Sequence, residues 1–272
     1  FFWWGCRDVP RHIAVKKVMK KYIITIIFCF FSFSSFSAGP AIKGETVDWG
    51  FNGPFGKFDK SSLQRGLQVY TEVCSSCHSL KYIAYRNLSD LGYNKAEIKA
   101  FASSFSIIDG PDDDGEMFER PGMPADHFVS PYPNMNAARA ANGGAYPPDL
   151  SLMTKARVGG ANYLYSLIVG YKEPPADINI REGLYYNKYY SGNLIAMPQP
   201  LYGDDVTYAD GTEATIEQMA ADVTEFLAWS AEPEMEVRKR TGIAAVTFLL
   251  IMSILSYLAK QQIWANVKKK QA

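Results

Sequence analysis

A chain of 272 residues with 47% hydrophobic composition holds enough apolar side chain for one large packed domain or two small ones. Its formal net charge of +0 hides a division: residues 1–37 carry six Lys/Arg against one Asp, residues 38–236 carry 15 Lys/Arg against 27 Asp/Glu, and residues 237–272 carry seven Lys/Arg and no acid. An acidic body between basic, apolar ends argues against nucleic acid as the main partner and fits an exported domain with a targeting segment and a membrane anchor.

Residues 1–18, FFWWGCRDVPRHIAVKKV, lack an initiating Met and fit no domain pattern. They read as upstream sequence translated in frame, with Met19 as the start, or as a linker left from a fusion to a preceding protein; His12 is therefore discounted as a ligand. In residues 19–37 two lysines precede the apolar run Tyr22–Phe31 and then small residues, the layout of a secretory signal, with Ser35 and Ser37 suited to cleavage after Ser37. A short membrane anchor is the alternative. Removing residues 1–37 takes Cys6 and Cys29 and leaves Cys74 and Cys77, which are too close together to staple a domain of this size. Their value lies in chemistry.

Within the exported region, residues 38–236, Asp59 can cap a helix that puts Leu63, Leu67 and Tyr70 on one face and leads into Cys74. Cys74-Ser75-Ser76-Cys77-His78 is the pattern of c-type haem attachment, in which two thiols each add to a vinyl group and the adjacent His falls beneath the iron. A thioredoxin-like dithiol would follow a strand, and half of a zinc site would need further ligands, for which this region offers only His127. Asn94–Phe105 is a weaker helical pattern. Asp109, Asp112, Asp113, Asp114, Glu116 and Glu119 follow, a run that either docks a basic partner or simply solvates a loop.

Residues 106–150 and 171–214 are rich in Pro, Gly, Asp and Asn and predict ordered loops wrapped on a bulky cofactor, with a hint of strand at Ile178–Ile180. Tyr163–Val169 predicts a third helix. A second axial ligand is needed if the haem is an electron carrier. His127 sits in what reads as an exposed loop, which leaves Met117, Met123, Met135, Met153, Met197, Met219 and Met235. Met197 stands out in Leu194–Leu201, where prolines stiffen the chain beside apolar neighbours. A gap-filling core Met remains open there, and Met153 is the next candidate. Thr215 and Gln218 make a capping-box pattern for a helix with Met219, Val223, Phe226 and Leu227 on one face, ending before Pro233. Arg238–Arg240 then precede an uncharged run, Thr241–Ala259, long enough to span a bilayer, with Tyr257 and Trp264 placed for the interface. A buried core helix is the alternative. Residues 237–264 are thus a membrane anchor with its flanks, and 265–272 a basic cytoplasmic tail.

Four blocks carry a family resemblance: WGFNGPFGKFDKSSLQRGLQVYTEVCSSCHSLKYIAYRNL (49–88), PYPNMNAARAANGGAYPPDLSLMTKARVGGANYLYSLIVGYKEPP (131–175), REGLYYNKYYSGNLIAMPQPL (181–201) and DGTEATIEQMAADVTEFLAWSAEPEMEVRKRTG (210–242). In this order they resemble the cytochrome c1 family. The resemblance implies a mainly α fold, a class I cytochrome c-like haem domain with long loop insertions and one C-terminal transmembrane helix. It also implies a single covalent haem c attached through Cys74 and Cys77 and ligated by His78 and Met197. Asn142, Pro147, Pro148, Arg157 and Tyr163 would line or hold the haem; for Arg157 a propionate is a fitting two-point partner. The implied partners are cytochrome b, the Rieske iron-sulfur protein as electron donor and a soluble or tethered cytochrome c as acceptor, within ubiquinol:cytochrome c oxidoreductase. The implied place is a bacterial inner membrane, haem domain on the periplasmic side. One departure is the lack of a cysteine pair beyond the haem motif, so loop rigidity must come from packing. Readings from other classes are a membrane-tethered haem sensor, a subunit of a different respiratory assembly, and an anchored thiol oxidoreductase.

Overall fold

The computed structural model of the protein describes residues 44–176 and 178–269. The segments 1–18 and 19–37, and the end of the basic tail, lie outside the described residues.

Helix α1 (Lys60–Glu72) starts as its sequence predicts: Asp59 is extended and its carboxylate accepts from the Ser61 N–H at 3.0 Å. Leu63, Leu67, Val69 and Tyr70 are buried along it. They face α6 (Ile216–Ala231), and the two helices form the centre of the body. Their approach is set by Gly66, where an added Cβ would stand 2.2 Å from the Asp222 carbonyl oxygen. Next to it, the Arg65 guanidinium grips buried Asp222 with two bonds, Nε to Oδ2 at 2.9 Å and Nη2 to Oδ1 at 3.0 Å, and reaches Asp210 at 2.8 Å. A planar two-point grip satisfies a carboxylate that burial would otherwise penalise. Tyr70, Phe128, Phe226, Tyr85 and Trp229 continue the core as contacting aromatic rings. Truncating one such ring to Ala costs about 3–5 kcal/mol.

The predicted capping box of α6 is half made. Thr215 Oγ1 accepts from the Gln218 N–H at 3.1 Å, but Gln218 Nε2 turns inward to Asp222 Oδ2 at 3.0 Å. The amide donates to the charged, buried carboxylate instead of accepting from the Thr215 N–H. At Asn94 the box is complete: its side chain accepts from the N–H groups of Ala96 and Glu97, and Glu97 accepts from the Asn94 N–H. That cap opens α2 (Lys95–Ser103), whose Phe101 packs with Phe105 onto Tyr85 in the 3-10 helix Tyr85–Leu91.

Short elements fill the two long stretches read as loops. Antiparallel β1 (Ser106–Asp109) and β2 (Phe118–Pro121) pair Ser106 with Pro121 and Asp109 with Phe118. Helices α3 (Met135–Ala141), α4 (Met153–Ala156) and α5 (Gly160–Val169) follow, then a hairpin of two residues a side, β3 (Tyr185–Tyr186) with β4 (Leu194–Ile195). The strand hinted at Ile178–Ile180 is not formed: the Ile178 N–H turns back to the Pro175 carbonyl at 3.0 Å, closing a turn instead. The architecture is mainly helical, as expected.

The last helix, α7 (Met235–Lys269), differs in kind. Among the described residues it is the one helix long and apolar enough to cross a membrane, and its apolar window is 0% buried. A core helix would hide that surface, so the core-helix alternative is set aside.

Candidate functional site

The site begins where α1 stops. Val73 closes the helix, and a 3-10 turn, Cys74–Ser76, tightens the chain so that the Cys77 and His78 N–H groups both point at the Cys74 carbonyl, at 3.2 and 2.9 Å. Ser75 and Ser76 bond back to the Thr71 and Val73 carbonyls at 2.7 and 2.8 Å, fixing the turn from inside. Both thiols are free and partly buried. Burial, reinforced by the neighbouring Cys77, pushes the Cys74 thiol up to about 12. A redox dithiol needs the opposite shift, toward thiolate.

His78 is held more firmly than either cysteine. Its Nδ1 lies 2.8 Å from the Pro148 carbonyl oxygen. A carbonyl only accepts, so Nδ1 carries the proton and Nε2 keeps its lone pair for a metal. Burial lowers the ring's proton affinity, against the opposing pull of the Pro148 bond and the Asp149 charge, and this favours the neutral form a ligand requires. The segment behind Pro148 is stitched to the segment behind His78. Asp149 accepts from Ser79 Oγ at 2.8 Å and from the Lys81 N–H at 2.9 Å, the Leu150 N–H bonds the Ser79 carbonyl, and Ser151 Oγ accepts from the Tyr82 N–H. Tyr70 Oη closes the other side on the His78 carbonyl at 3.1 Å.

Exposure sorts the methionines. Met117, Met123 and Met135 are open to solvent, while Met153, Met219 and Met235 pack into the interior. Met197 is half-buried just beyond β4, and Tyr171 Oη donates to its carbonyl at 2.9 Å. The hairpin that carries it is pinned by fully buried Asn187, whose Nδ2 donates to the Leu167 carbonyl at 2.7 Å while its Oδ1 accepts from the Tyr189 and Tyr190 N–H groups. His127 is exposed, bridged through its backbone to Ala84.

The other expected residues are placed as follows. Pro147 and Pro148 are partly buried, and the part Pro148 plays is that of its carbonyl. Asn142 ends α3 by donating to the Ala138 carbonyl at 2.7 Å and to Tyr132 Oη at 3.1 Å. Arg157 ends α4, exposed and with no carboxylate pairing it among the described residues. It is near enough to Tyr163, in α5, for its charge to offset part of the rise that burial imposes on that phenol. Sequence reasoning missed Asp149, Tyr171 and Asn187. Asp149 had a local signal, since Asp-Leu-Ser after two prolines suits the Asx turn it makes with the Ser151 N–H at 2.9 Å; Asn187 makes a similar local turn with the Tyr189 and Tyr190 N–H groups, and Tyr171 acts through a tertiary contact.

Among the described residues no group of three or more His, Cys, Asp or Glu side chains is arranged to hold a metal ion, which leaves a zinc reading of Cys74 and Cys77 without further ligands. Two thiols on a tight turn, a neutral imidazole with a fixed tautomer, a half-buried thioether and an unpaired guanidinium instead fit what a c-type haem takes: two thioether bonds, two axial ligands and a propionate partner. Comparison with known proteins gives the family. The chain is 52% identical to the protein named "Cytochrome b/c1" of Bradyrhizobium diazoefficiens over 80% of its own length, and spans about a third, 35%, of that longer relative. It is 48% identical to "Cytochrome c1" of Rhodospirillum rubrum, covering 81% of this chain and 87% of that one. To "Cytochrome c1 1, heme protein, mitochondrial" of Arabidopsis thaliana it is 47% identical, covering 88% and 78%. The model of the Cytochrome C1 family matches residues 49–267, from the loop before α1 to the end of the apolar helix, and with it the chain belongs to the cytochrome c1 family.

Proposed function

We propose that the chain is the haem c subunit of a bc1-type respiratory complex, taking one electron at a time from a Rieske iron-sulfur protein and passing it to a cytochrome c. One haem, covalently bound through Cys74 and Cys77, supplies the one-electron couple. The observation that carries the reading is the bond between His78 Nδ1 and the Pro148 carbonyl, behind the Cys-Ser-Ser-Cys-His motif. It orients an imidazole for metal ligation and does nothing for a dithiol.

In this reading His78 and Met197 are the axial ligands, and Met197 favours the reduced state. Arg157 answers a propionate, while Asn142, Pro147, Pro148 and Tyr163 shape the wall around it. Helix α7 anchors the chain in a bacterial inner membrane. It leaves residues 38–236 on the periplasmic side beside cytochrome b and the Rieske protein, with the lysine tail in the cytoplasm. The acidic hairpin is the face offered to a basic acceptor. Within it Asp109 is paired with Arg120, Glu119 accepts from Ser106 Oγ, and Asp112 folds the tip by accepting from the Asp114 and Glu116 N–H groups, so Asp113, Asp114 and Glu116 are the side chains left to steer. Neutralising those three should flatten the fall of electron-transfer rate with salt, and an unchanged salt dependence would move docking elsewhere.

The reading as a whole is tested by solubilising the protein from its own membranes and purifying it. Cytochrome b and a Rieske protein should accompany it, and haem should stay on its band through denaturing electrophoresis. A partner-free protein would point to a haem sensor, and a haem-free band to a thiol protein.

A further inference from the structure

The loop from Trp49 to Asp59 carries four aromatic residues, and three of them are packed. Trp49 is 6% exposed, stacks on Phe51 at 5.5 Å and meets Tyr165 edge-on; Phe51 in turn lies 5.1 Å from Phe58. Phe55 is 78% exposed. The loop is closed below it by the Asn52 N–H on the Trp49 carbonyl and the Lys57 N–H on the Gly50 carbonyl, at 2.9 and 3.1 Å. Gly56 tightens the tip, for an added Cβ would stand 2.0 Å from the Asn52 carbonyl oxygen. Pro54 and Phe55 are therefore held outward by a built turn.

The tip is also fixed in height, because α7 grips the loop. Lys239 Nζ donates to the Phe51 and Gly56 carbonyls at 2.6 and 3.1 Å, and Glu236 accepts from the Phe58 N–H at 3.0 Å. Lys239 stands two residues before the uncharged run Thr241–Ala259, about 3 Å along the helix axis. The loop thus meets α7 at the edge of its apolar surface. Lys57 and Arg240 are exposed there and form no ion pair among the described residues, on a domain whose charge is otherwise acidic. The one acid within the loop, Asp59, is occupied in capping α1.

We infer that the loop Trp49–Asp59 is a second membrane contact, with Phe55 seated at the lipid interface and Lys57 and Arg240 among anionic headgroups. The inference rests on α7 crossing the bilayer. An aromatic ring prefers the boundary between headgroup and acyl chain, and basic side chains beside it are drawn to anionic lipid. Two contacts clasped together would hold the body at one height and tilt, where a single helix would let it swing.

The full chain, reconstituted in phosphatidylcholine–phosphatidylglycerol vesicles brominated either near the headgroup or near the acyl-chain end, tests this. Phe55→Trp adds emission that is read as the difference from the parent protein, and Leu250→Trp does the same within α7. Shallow bromines should remove most of the emission added at position 55 and deep bromines most of that added at position 250. If iodide in the water quenches position 55 while position 250 stays lipid-quenched, the loop contact is wrong and the spanning helix stands. Shielding of position 55 from both iodide and bromine would mean a protein surface covers it, which also overturns the lipid contact. Loss of lipid quenching at position 250 would overturn both readings.

Discussion

The two sides of the site are built differently. His78 is fixed by its ring, through Pro148, and by its neighbours, through Asp149, Leu150, Ser151 and Tyr70. Met197 is fixed at one backbone atom, the carbonyl that accepts from Tyr171, on a chain leaving a hairpin two residues long. The His side is pre-organised before anything binds, and the Met side grips the backbone while the flexible thioether adapts. In the proposed function, attachment and tautomer would be decided on the His side and redox tuning on the Met side.

The largest effect expected breaks the His side: His78→Ala should abolish the haem-bearing protein, seen as loss of haem-linked peroxidase stain in exported material. Met197→Ala should keep the stain and lower the reduction potential by on the order of a tenth of a volt or more, within the roughly 0.8 V that axial ligands control. A Met197→Ala protein with unchanged potential in a redox titration would place the ligand elsewhere. Between these lies the clamp. Asp149→Ala removes the acceptor for Ser79, Lys81 and Ser151 and should cost about 1.5–3 kcal/mol in urea unfolding, since hydrogen bonds to a charged group are among the stronger ones. The smallest effect belongs to the Met side. Tyr171→Phe should cost about 1 kcal/mol in urea unfolding and loosen Met197 by a similar amount, speeding capture of added imidazole by about fivefold.

That asymmetry was only half legible in the sequence. The helix into the motif was readable because Asp59 caps it and Leu63, Leu67 and Tyr70 repeat at helical spacing, and α2, α5 and α6 announced themselves by cap or periodicity in the same way. Cys74, Cys77 and His78 were legible because attachment chemistry demands adjacent residues. Met197 was not fixed by spacing alone, because a ligand reached through a tertiary hairpin has no required distance from the motif. The hairpins β1–β2 and β3–β4 hid in loop-like composition, since strands this short lack room for an alternating pattern. Asp149 and Tyr171 were invisible as partners for a plainer reason: each acts on a segment more than 20 residues away, at separations of 68 and 26 in the chain.

The central claim is that Cys74, Cys77 and His78 form a covalent haem site, and it is tested most directly on the exported protein itself. Protease digestion and mass spectrometry should return the peptide spanning Cys74–His78 heavier by one haem, with neither thiol open to alkylation. The same peptide at its unmodified mass, with both thiols alkylated, would contradict the account.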